Sequence, residues 1–431
     1  MTSQMIHTSN IVNLMKVSKL ILLVLSSFAL AHKGDGINHN VDEVQEGPIY
    51  GPDAWVKKYH DAPDLAFSGI NSFAHLPAFK CIQEPHREFD IAILGVPFDT
   101  SVSYRPGARF GPHGIRSGSR RHVPSRSYQP AWGFNPWLAL EDDSVEEPRI
   151  VDCGDIPISP YDNSLAMDQI EVGYGALISR NIVTKKQKWT SSLANDGKEH
   201  PRIISLGGDH TIVLPILRSL SKVYGPVSVI HFDAHLDTWD GNNYIGAYTD
   251  QSKLTHGSFF WKAAQEGVIA NTSSIHAGIR TRLAGIDDLH HDASVGFQLL
   301  STDDIDDMGA EGIAEAIRTR VGKKPVYLSL DIDVLDPGVC PATGTPEPGG
   351  WSTREMKKVL RGLWGLNIVG MDIVEVSPPF DTQAELTGMV AADIVQEFMS
   401  ILMSTEGPQP ATKKGVMQAT EQQEKRKREE L

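Results

Sequence analysis

The sequence predicts an α/β protein built on a parallel sheet of eight strands. Three observations carry this. Short apolar runs of four to seven residues recur along the chain, rich in β-branched types and bounded by Gly, Pro or Asp. Stretches with helical periodicity lie between several of them. Strands alternating with helices close into a parallel sheet covered by helices.

The runs are Ile91–Leu94, Arg149–Cys153, Arg202–Leu206, Val227–Phe232, Ser274–Gly278, Gly296–Leu300, Val326–Leu330 and Asn367–Met371. After Thr211, residues Val213, Ile216, Leu217, Leu220 and Tyr224 share one helical face. Gly309–Val321, Thr353–Leu363 and Gln383–Leu402 also have helical patterns. Two stretches interrupt the alternation: Val123–Glu147, rich in Pro, Trp and Ser, and the polar Thr184–His200. Both are expected to be surface insertions.

Ahead of this region lie a leader and an arm. Lys16 and Lys19 precede the apolar run Leu20–Leu25, and Ala29 and Ala31 follow at the small positions of a cleavage site. That pattern predicts a signal peptide over residues 1–31. The mature chain then begins near His32, in the secretory pathway, with Asn271-Thr272-Ser273 as a candidate glycosylation site. Residues 32–85 are an N-terminal arm, 86–404 the catalytic domain, and 405–431 a polar, disordered tail. Outside the leader no segment is expected to cross a bilayer, so no stable membrane association follows cleavage. Cys81, Cys153 and Cys340 are too few and too far apart for a zinc knuckle or a redox pair. One disulfide in an oxidising compartment and three idle thiols fit equally well. The formal net charge of −14 argues against a nucleic-acid partner.

Three polar clusters share one architectural position. Gly207-Gly208-Asp209-His210 follows the run ending at Leu206. Asp233-Ala234-His235-Leu236-Asp237 follows the run ending at Phe232. Asp331-Ile332-Asp333 follows the run ending at Leu330. Ligands bind at the carboxyl edge of such sheets. Residues two apart in extended backbone share a face, which groups Asp233, His235 and Asp237, and likewise Asp331 and Asp333. Carboxylates gathered this closely repel unless cations sit among them. A set of four Asp and two His without thiolates suits Mn²⁺.

These clusters resemble those of the ureohydrolase family, which includes arginases and agmatinases. The resemblance runs from about Phe89 to about Leu402 and includes Arg105–Pro112, Thr343–Gly350 and Met371–Val376. It implies a three-layer fold around an eight-stranded parallel sheet, with two Mn²⁺ ions. By resemblance, His210, Asp233, Asp237 and Asp331 hold one ion, and Asp233, His235, Asp331 and Asp333 the other. A hydroxide held between them attacks the guanidinium carbon. Asp237 holds that hydroxide and passes a proton to the leaving amine. Glu375 matches the carboxylate that pairs with the guanidinium, and His256 a loop histidine for substrate binding or proton transfer. Asp209 and His231 flank the ligands as supporting groups. The family also implies a trimer or hexamer.

The implied substrate is a small cationic guanidino compound. Asp237-Thr238-Trp239-Asp240 looks like agmatinases, and the Ser-Gly-Asn stretch of arginases is missing before His256. The expectation is hydrolysis of agmatine to putrescine and urea. Arginine and guanidinobutyrate stay open as alternatives if the loop Gly246–Leu254 or Arg280 supplies a cation for their carboxylate. A non-catalytic relative that binds metal or polyamine is the reading of a different class.

Overall fold

The computed structural model describes residues 50–59, 64–137, 149–184 and 194–409. The signal-peptide expectation and most of the tail lie outside these residues. Residues 50–59 carry a short helix, α1 (Ala54–Tyr59). The unit from Asp64 onward is a mixed succession of strands and helices. It runs β1 (Ile91–Val96), α2 (Gly111–Gly118), β2 (Ile150–Asp155), α3 (Asn163–Ile178), β3 (Arg202–Gly207), α4 (Val213–Tyr224) and β4 (Ser228–Phe232). It continues with α5 (Phe259–Gln265), β5 (Ser274–Ile279), α6 (Ile286–Val295), β6 (Phe297–Ser301) and α7 (Asp304–Val321). It ends with β7 (Val326–Asp331), α8 (Thr353–Gly362), β8 (Ile368–Val374) and α9 (Leu386–Met403).

The eight strands form one sheet in the order β2-β1-β3-β8-β7-β4-β5-β6, and every pairing is parallel. Side-chain alternation sends successive residues to opposite faces. Ile204, Leu206, Ile230, Phe232, Leu328 and Leu330 pack on one face with α7, α8 and α9. Ile203, Val229, Tyr327 and Val369 pack on the other with α3, α4 and α5. Two cores therefore flank one sheet, which is the expected three-layer α/β architecture.

Local sequence explains the helix ends. α8 starts in a capping box, where Ser352 and Glu355 satisfy each other's backbone amides. Asp162 caps α3 through the amide of Leu165. Inside α7, Gly309 sits at φ 67, a left-handed bend that stops the helical pattern there in sequence although the element begins at Asp304.

Several expectations need correction. Val123–Glu147 is not purely a surface insertion. Trp132 and Trp137 are 2% and 7% exposed within the core, and the Trp132 indole donates to Glu397 on α9 at 2.7 Å. The wish of a large ring for burial outweighed the Pro- and Ser-rich composition around it. α9 is long and apolar enough to cross a membrane by length and composition, contrary to expectation. It lies across the sheet as a core helix, largely buried. Phe73, Ala74 and Leu76 enter the core, and Cys81 forms a disulfide with Cys153 on β2, with Cα atoms 5.0 Å apart. Cys340 is buried and free.

Candidate metal centre and substrate pocket

The four central strands, β3, β8, β7 and β4, are neighbours and point the same way. Their carboxyl ends therefore meet at one place. His210 opens a turn after β3, Asp233 follows β4, Asp331 closes β7, and Glu375 follows β8. Gly208 lets the segment after β3 pass close to the one after β1, since a Cβ there would lie 1.8 Å from the carbonyl oxygen of Phe98. All six residues predicted to bind metal converge here. His210, Asp233, Asp237, Asp331 and Asp333 are buried, while His235 is partly open at its ring.

The His210 ring is fixed from behind. Its Nε2 lies 2.8 Å from Ser329 Oγ, which donates to Asp372 at 2.9 Å. The serine hydrogen is thus committed, so Nε2–H is the donor and Nδ1 keeps its lone pair. That lone pair faces carboxylates of Asp233 and Asp237 at 3.1 Å and Asp331 at 3.3 Å. His235 Nδ1 stands 3.2 Å from Asp233 and 3.1 Å from Asp333. Asp233 belongs to both groups, His210–His231–Asp233–Asp237 and Asp233–His235–Asp333, whose ligand atoms lie within 4.8 Å of one another.

Electrostatics show what the cluster lacks. Burial, then Asp333 and Asp233, raises Asp331 well above the carboxylate range. Burial and Asp233 push Asp333 up to about 6, and the same two causes raise Asp237. Burial opposes charge on His210, yet Asp233, Asp237 and Asp331 outweigh it and raise the ring well above its usual value. Burial also opposes the charge on Asp233, but the surrounding histidines hold it well below the usual range. In the absence of a cation, protons must therefore take its place. His210 Nδ1, His231 Nε2 and Asp233 Oδ2 are buried with no hydrogen-bond partner of good geometry. Ligand atoms that are orphaned, mutually close and mixed in oxygen and nitrogen fit divalent cations.

Beside the cluster lies a second feature. Glu375 is fully buried, and its backbone is held at φ 59, in the left-handed region. Asp237 shares that strain at φ 57. Glu375 Oε1 accepts from the His210 amide at 2.9 Å and faces His256 Nδ1 at 3.0 Å. Its Oε2 has no partner. Gly344 leaves the space in front open, since a Cβ there would stand 3.3 Å from Oε2. His256 Nε2 stands 3.0 Å from the Ser103 amide nitrogen and 2.8 Å from its hydroxyl, which leaves Nδ1 turned toward Glu375. Burial opposes charge on His256, but Glu375, Asp237 and Asp209 push it up to about 9.

The flanking residues separate. Asp209 is a backbone organiser, accepting from the amides of Ser101 and Thr211 at 3.0 Å each. His231 lies inside the cluster, with Nε2 2.9 Å from Asp233 Oδ2. Nothing in the sequence signals Ser103 and Ser329, and Gly344 and Asp372 fall in the matching segments Thr343–Gly350 and Met371–Val376 without their roles being marked. Arg280 is not available to a substrate carboxylate, because its guanidinium donates to the carbonyls of Asp333, Val334, Leu335 and Glu347. Lys253, in the loop Gly246–Leu254, pairs with Asp250 at 3.0 Å.

A parallel three-layer α/β chain with a buried His/Asp cluster at its carboxyl edge and an open carboxylate beside it defines a metal-binding hydrolase. Comparison with known proteins makes this specific. The Arginase family profile matches residues 89–400. An agmatinase-named protein of Schizosaccharomyces pombe is 50% identical over 349 residues, spanning 79% of this chain and 84% of that one. The agmatinase of Neisseria meningitidis serogroup A is 38% identical, spanning 76% and 91%. The solved structure of proclavaminate amidino hydrolase from Streptomyces clavuligerus superposes with a TM-score of 0.66 at 30% identity, covering 80% of this chain and all of that one. The chain belongs to the arginase family, and within it is most similar to agmatinases.

Proposed function

We propose that this enzyme hydrolyses agmatine to putrescine and urea, with two Mn²⁺ ions at the cluster. The observation that carries the reading is the free Oε2 of Glu375, a buried carboxylate oxygen beside the metal cluster that faces Gly344, where any side chain would crowd it. A guanidinium offers paired N–H donors to such a carboxylate. His210, Asp233, Asp237 and Asp331 would hold one ion, and Asp233, His235, Asp331 and Asp333 the other. When bound, the ions supply the Lewis acidity that makes a water nucleophilic near neutral pH.

The remaining work falls to side chains. Glu375 seats the guanidinium with its carbon turned toward the cluster. Asp237, whose affinity for a proton is raised by burial and Asp233, takes the proton from the attacking water. The guanidinium carbon becomes tetrahedral, and the proton passes to the departing nitrogen. His256, between Glu375 and Ser103, can relay that proton or steady the amine. Collapse releases urea and the amine.

Agmatine is preferred because Arg280, which could have answered a second carboxylate, is spent on backbone carbonyls. An unpaired carboxylate buried in an acidic cleft costs several kcal/mol. Urea release from agmatine, arginine and guanidinobutyrate at one pH and one Mn²⁺ concentration tests this through kcat/KM. Agmatine should lead. A lead for guanidinobutyrate removes the substrate assignment while keeping the chemistry, and release from none of the three removes the enzyme reading.

We further propose that residues 1–31 are cleaved in the secretory pathway and that the mature chain assembles as a trimer or hexamer without nucleic acid. The Cys81–Cys153 pairing supports an oxidising route. N-terminal sequencing should find a start near His32. An intact Met1 or Met15 on a cytosolic protein overturns the location, and a monomer in sedimentation overturns the assembly.

A further inference from the structure

A line of buried polar groups runs away from the metal cluster and ends on a helix that touches none of its ligands. His231 faces Asp233 with Nε2 at 2.9 Å. Its other nitrogen, Nδ1, lies 2.7 Å from Nδ1 of His276 on β5. His276 Nε2 lies 2.9 Å from Oδ1 of Asp292 on α6. The same Oδ1 accepts from the hydroxyl of Thr238 at 2.7 Å. Thr238 directly follows Asp237, whose backbone sits in the left-handed region. His231 and His276 are fully buried, and Thr238 and Asp292 are nearly so.

One carboxylate oxygen therefore ends two branches. The first goes through two imidazoles to Asp233, and the second through one hydroxyl to the strained turn at Asp237. The two histidines meet through their Nδ1 atoms, which fixes both ring planes. His276 is also stacked on Phe297 at 4.0 Å with an interplanar angle of 10°. His231 packs edge-on against Phe260. Asp292 is the carboxylate at the far end of the line, as Asp233 is at the near end. Burial alone would raise its carboxyl, but His276 and Thr238 hold it below the ordinary range. In sequence Asp292 is one more acid in a helix that begins with Asp287 and Asp288.

We propose that Asp292 is a positioning residue for the metal centre, holding Asp233 through His276 and His231 and holding Asp237 through Thr238. Groups that orient ligands from behind typically alter metal affinity or activity about 10- to 100-fold when removed. The proposal rests on the metal reading above, and its test is chosen to separate the two.

The experiment uses the purified full chain, stripped of metal and titrated with Mn²⁺ while free Mn²⁺ is followed by electron paramagnetic resonance. Asp292→Ala should weaken Mn²⁺ binding about tenfold or more. Asp292→Asn keeps an acceptor oxygen and should recover most of that loss. Thr238→Val, which breaks one branch, should weaken binding by less than Asp292→Ala. At saturating Mn²⁺ the KM for agmatine should match wild type, because no substrate contact is altered. A folded Asp292→Ala protein with wild-type Mn²⁺ affinity overturns the proposal. If that variant does not fold, Thr238→Val decides, and unchanged affinity there overturns it. Wild-type protein that binds no Mn²⁺ sinks the metal reading instead, and wild-type protein that binds Mn²⁺ but releases no urea sinks only the activity.

Discussion

Buried carboxylates occur in two regions of this sheet, and they are answered differently. On the β1–β2 side, Asp90 meets Arg149 at 2.6 Å and Asp152 meets Arg116 at 2.8 Å, with all four side chains no more than 7% exposed. Arg116 also reaches Asp155 at 2.6 Å, and these partners raise its affinity for its proton against the cost of burial. At the carboxyl ends of the central strands, Asp233, Asp237, Asp331 and Asp333 are buried just as deeply, yet among the described residues no arginine or lysine forms an ion pair with them. Their basic partners are histidines. A guanidinium keeps its charge at any working pH and fits a carboxylate in two places, so it makes a permanent structural pair. An imidazole can give up its proton. The first region is closed by the chain itself, and the second is completed by something that can come and go.

Breaking each region should give opposite results. Asp331→Ala removes a proposed shared ligand, so urea release should fall to background and bound Mn²⁺ should drop below two per chain. The metal-free variant should stay close to wild-type stability, because burial and its neighbours already disfavour the charge on Asp331 there. Arg116→Ala does the reverse. It leaves Asp152 buried without its partner, which costs about 3–5 kcal/mol. The protein should melt earlier, with Mn²⁺ affinity unchanged in the folded fraction. Denaturant unfolding of both metal-free variants, beside Mn²⁺ titration, checks the pair. An active Asp331→Ala enzyme would falsify the metal assignment, and a neutral Arg116→Ala would dissolve the contrast.

The contrast also explains what could be seen in sequence. The cluster ligands are close in the chain, two residues apart at strand ends, so their spacing marks them, although Asp333 lies in a 3-10 turn and Asp237 in left-handed backbone instead of the extended chain that the spacing predicts. Each of the eight apolar runs became a strand, and the six internal ones are largely apolar because they are covered on both sides. Other features depend on partners far away in the chain. Asp152 and Arg116 lie on different elements, and neither residue has a spacing that announces the other. Asp292 meets His276 only because α6 returns over β5. Trp132 was hidden by its polar neighbours, and α3 by its lack of a one-sided apolar face, since Ala166, Ile170, Tyr174 and Leu177 are mixed with small and acidic residues. Pattern reports what a residue faces in its own segment, whereas long-range pairing is decided by how the segments fold together.

The smallest expected effect is on the pH dependence of the metal-free protein, and it tests the idea that protons stand in for cations. His256 is pushed from 6.5 up to about 9, with burial outweighed by Glu375, Asp237 and Asp209. Asp209 is pushed from 3.8 up to about 7, by burial and then Glu375. In both cases the folded state binds the proton more tightly than the unfolded chain. Unfolding free energy then falls as pH rises. The His256 contribution is complete below 6.5 and is lost as pH passes about 9. The Asp209 contribution is already declining and is gone a little above 7. His231, pushed by burial down to about 3, acts in the opposite sense, but its window closes below 6.5. From pH 6.5 to 9 the metal-free melting temperature should therefore decline by a few degrees, given about 2–4 °C per kcal/mol in domains of moderate size. Saturating Mn²⁺ should reverse the trend in the stabilisation it adds, because ligands must lose their protons to bind a cation. Melting curves recorded across this range with chelator and with Mn²⁺ should draw apart as pH rises. His256→Asn should flatten the chelator curve. Parallel curves, or a metal-free protein that grows more stable toward pH 9, would mean that protons do not fill the place of the cations and that the cluster is closed by other means.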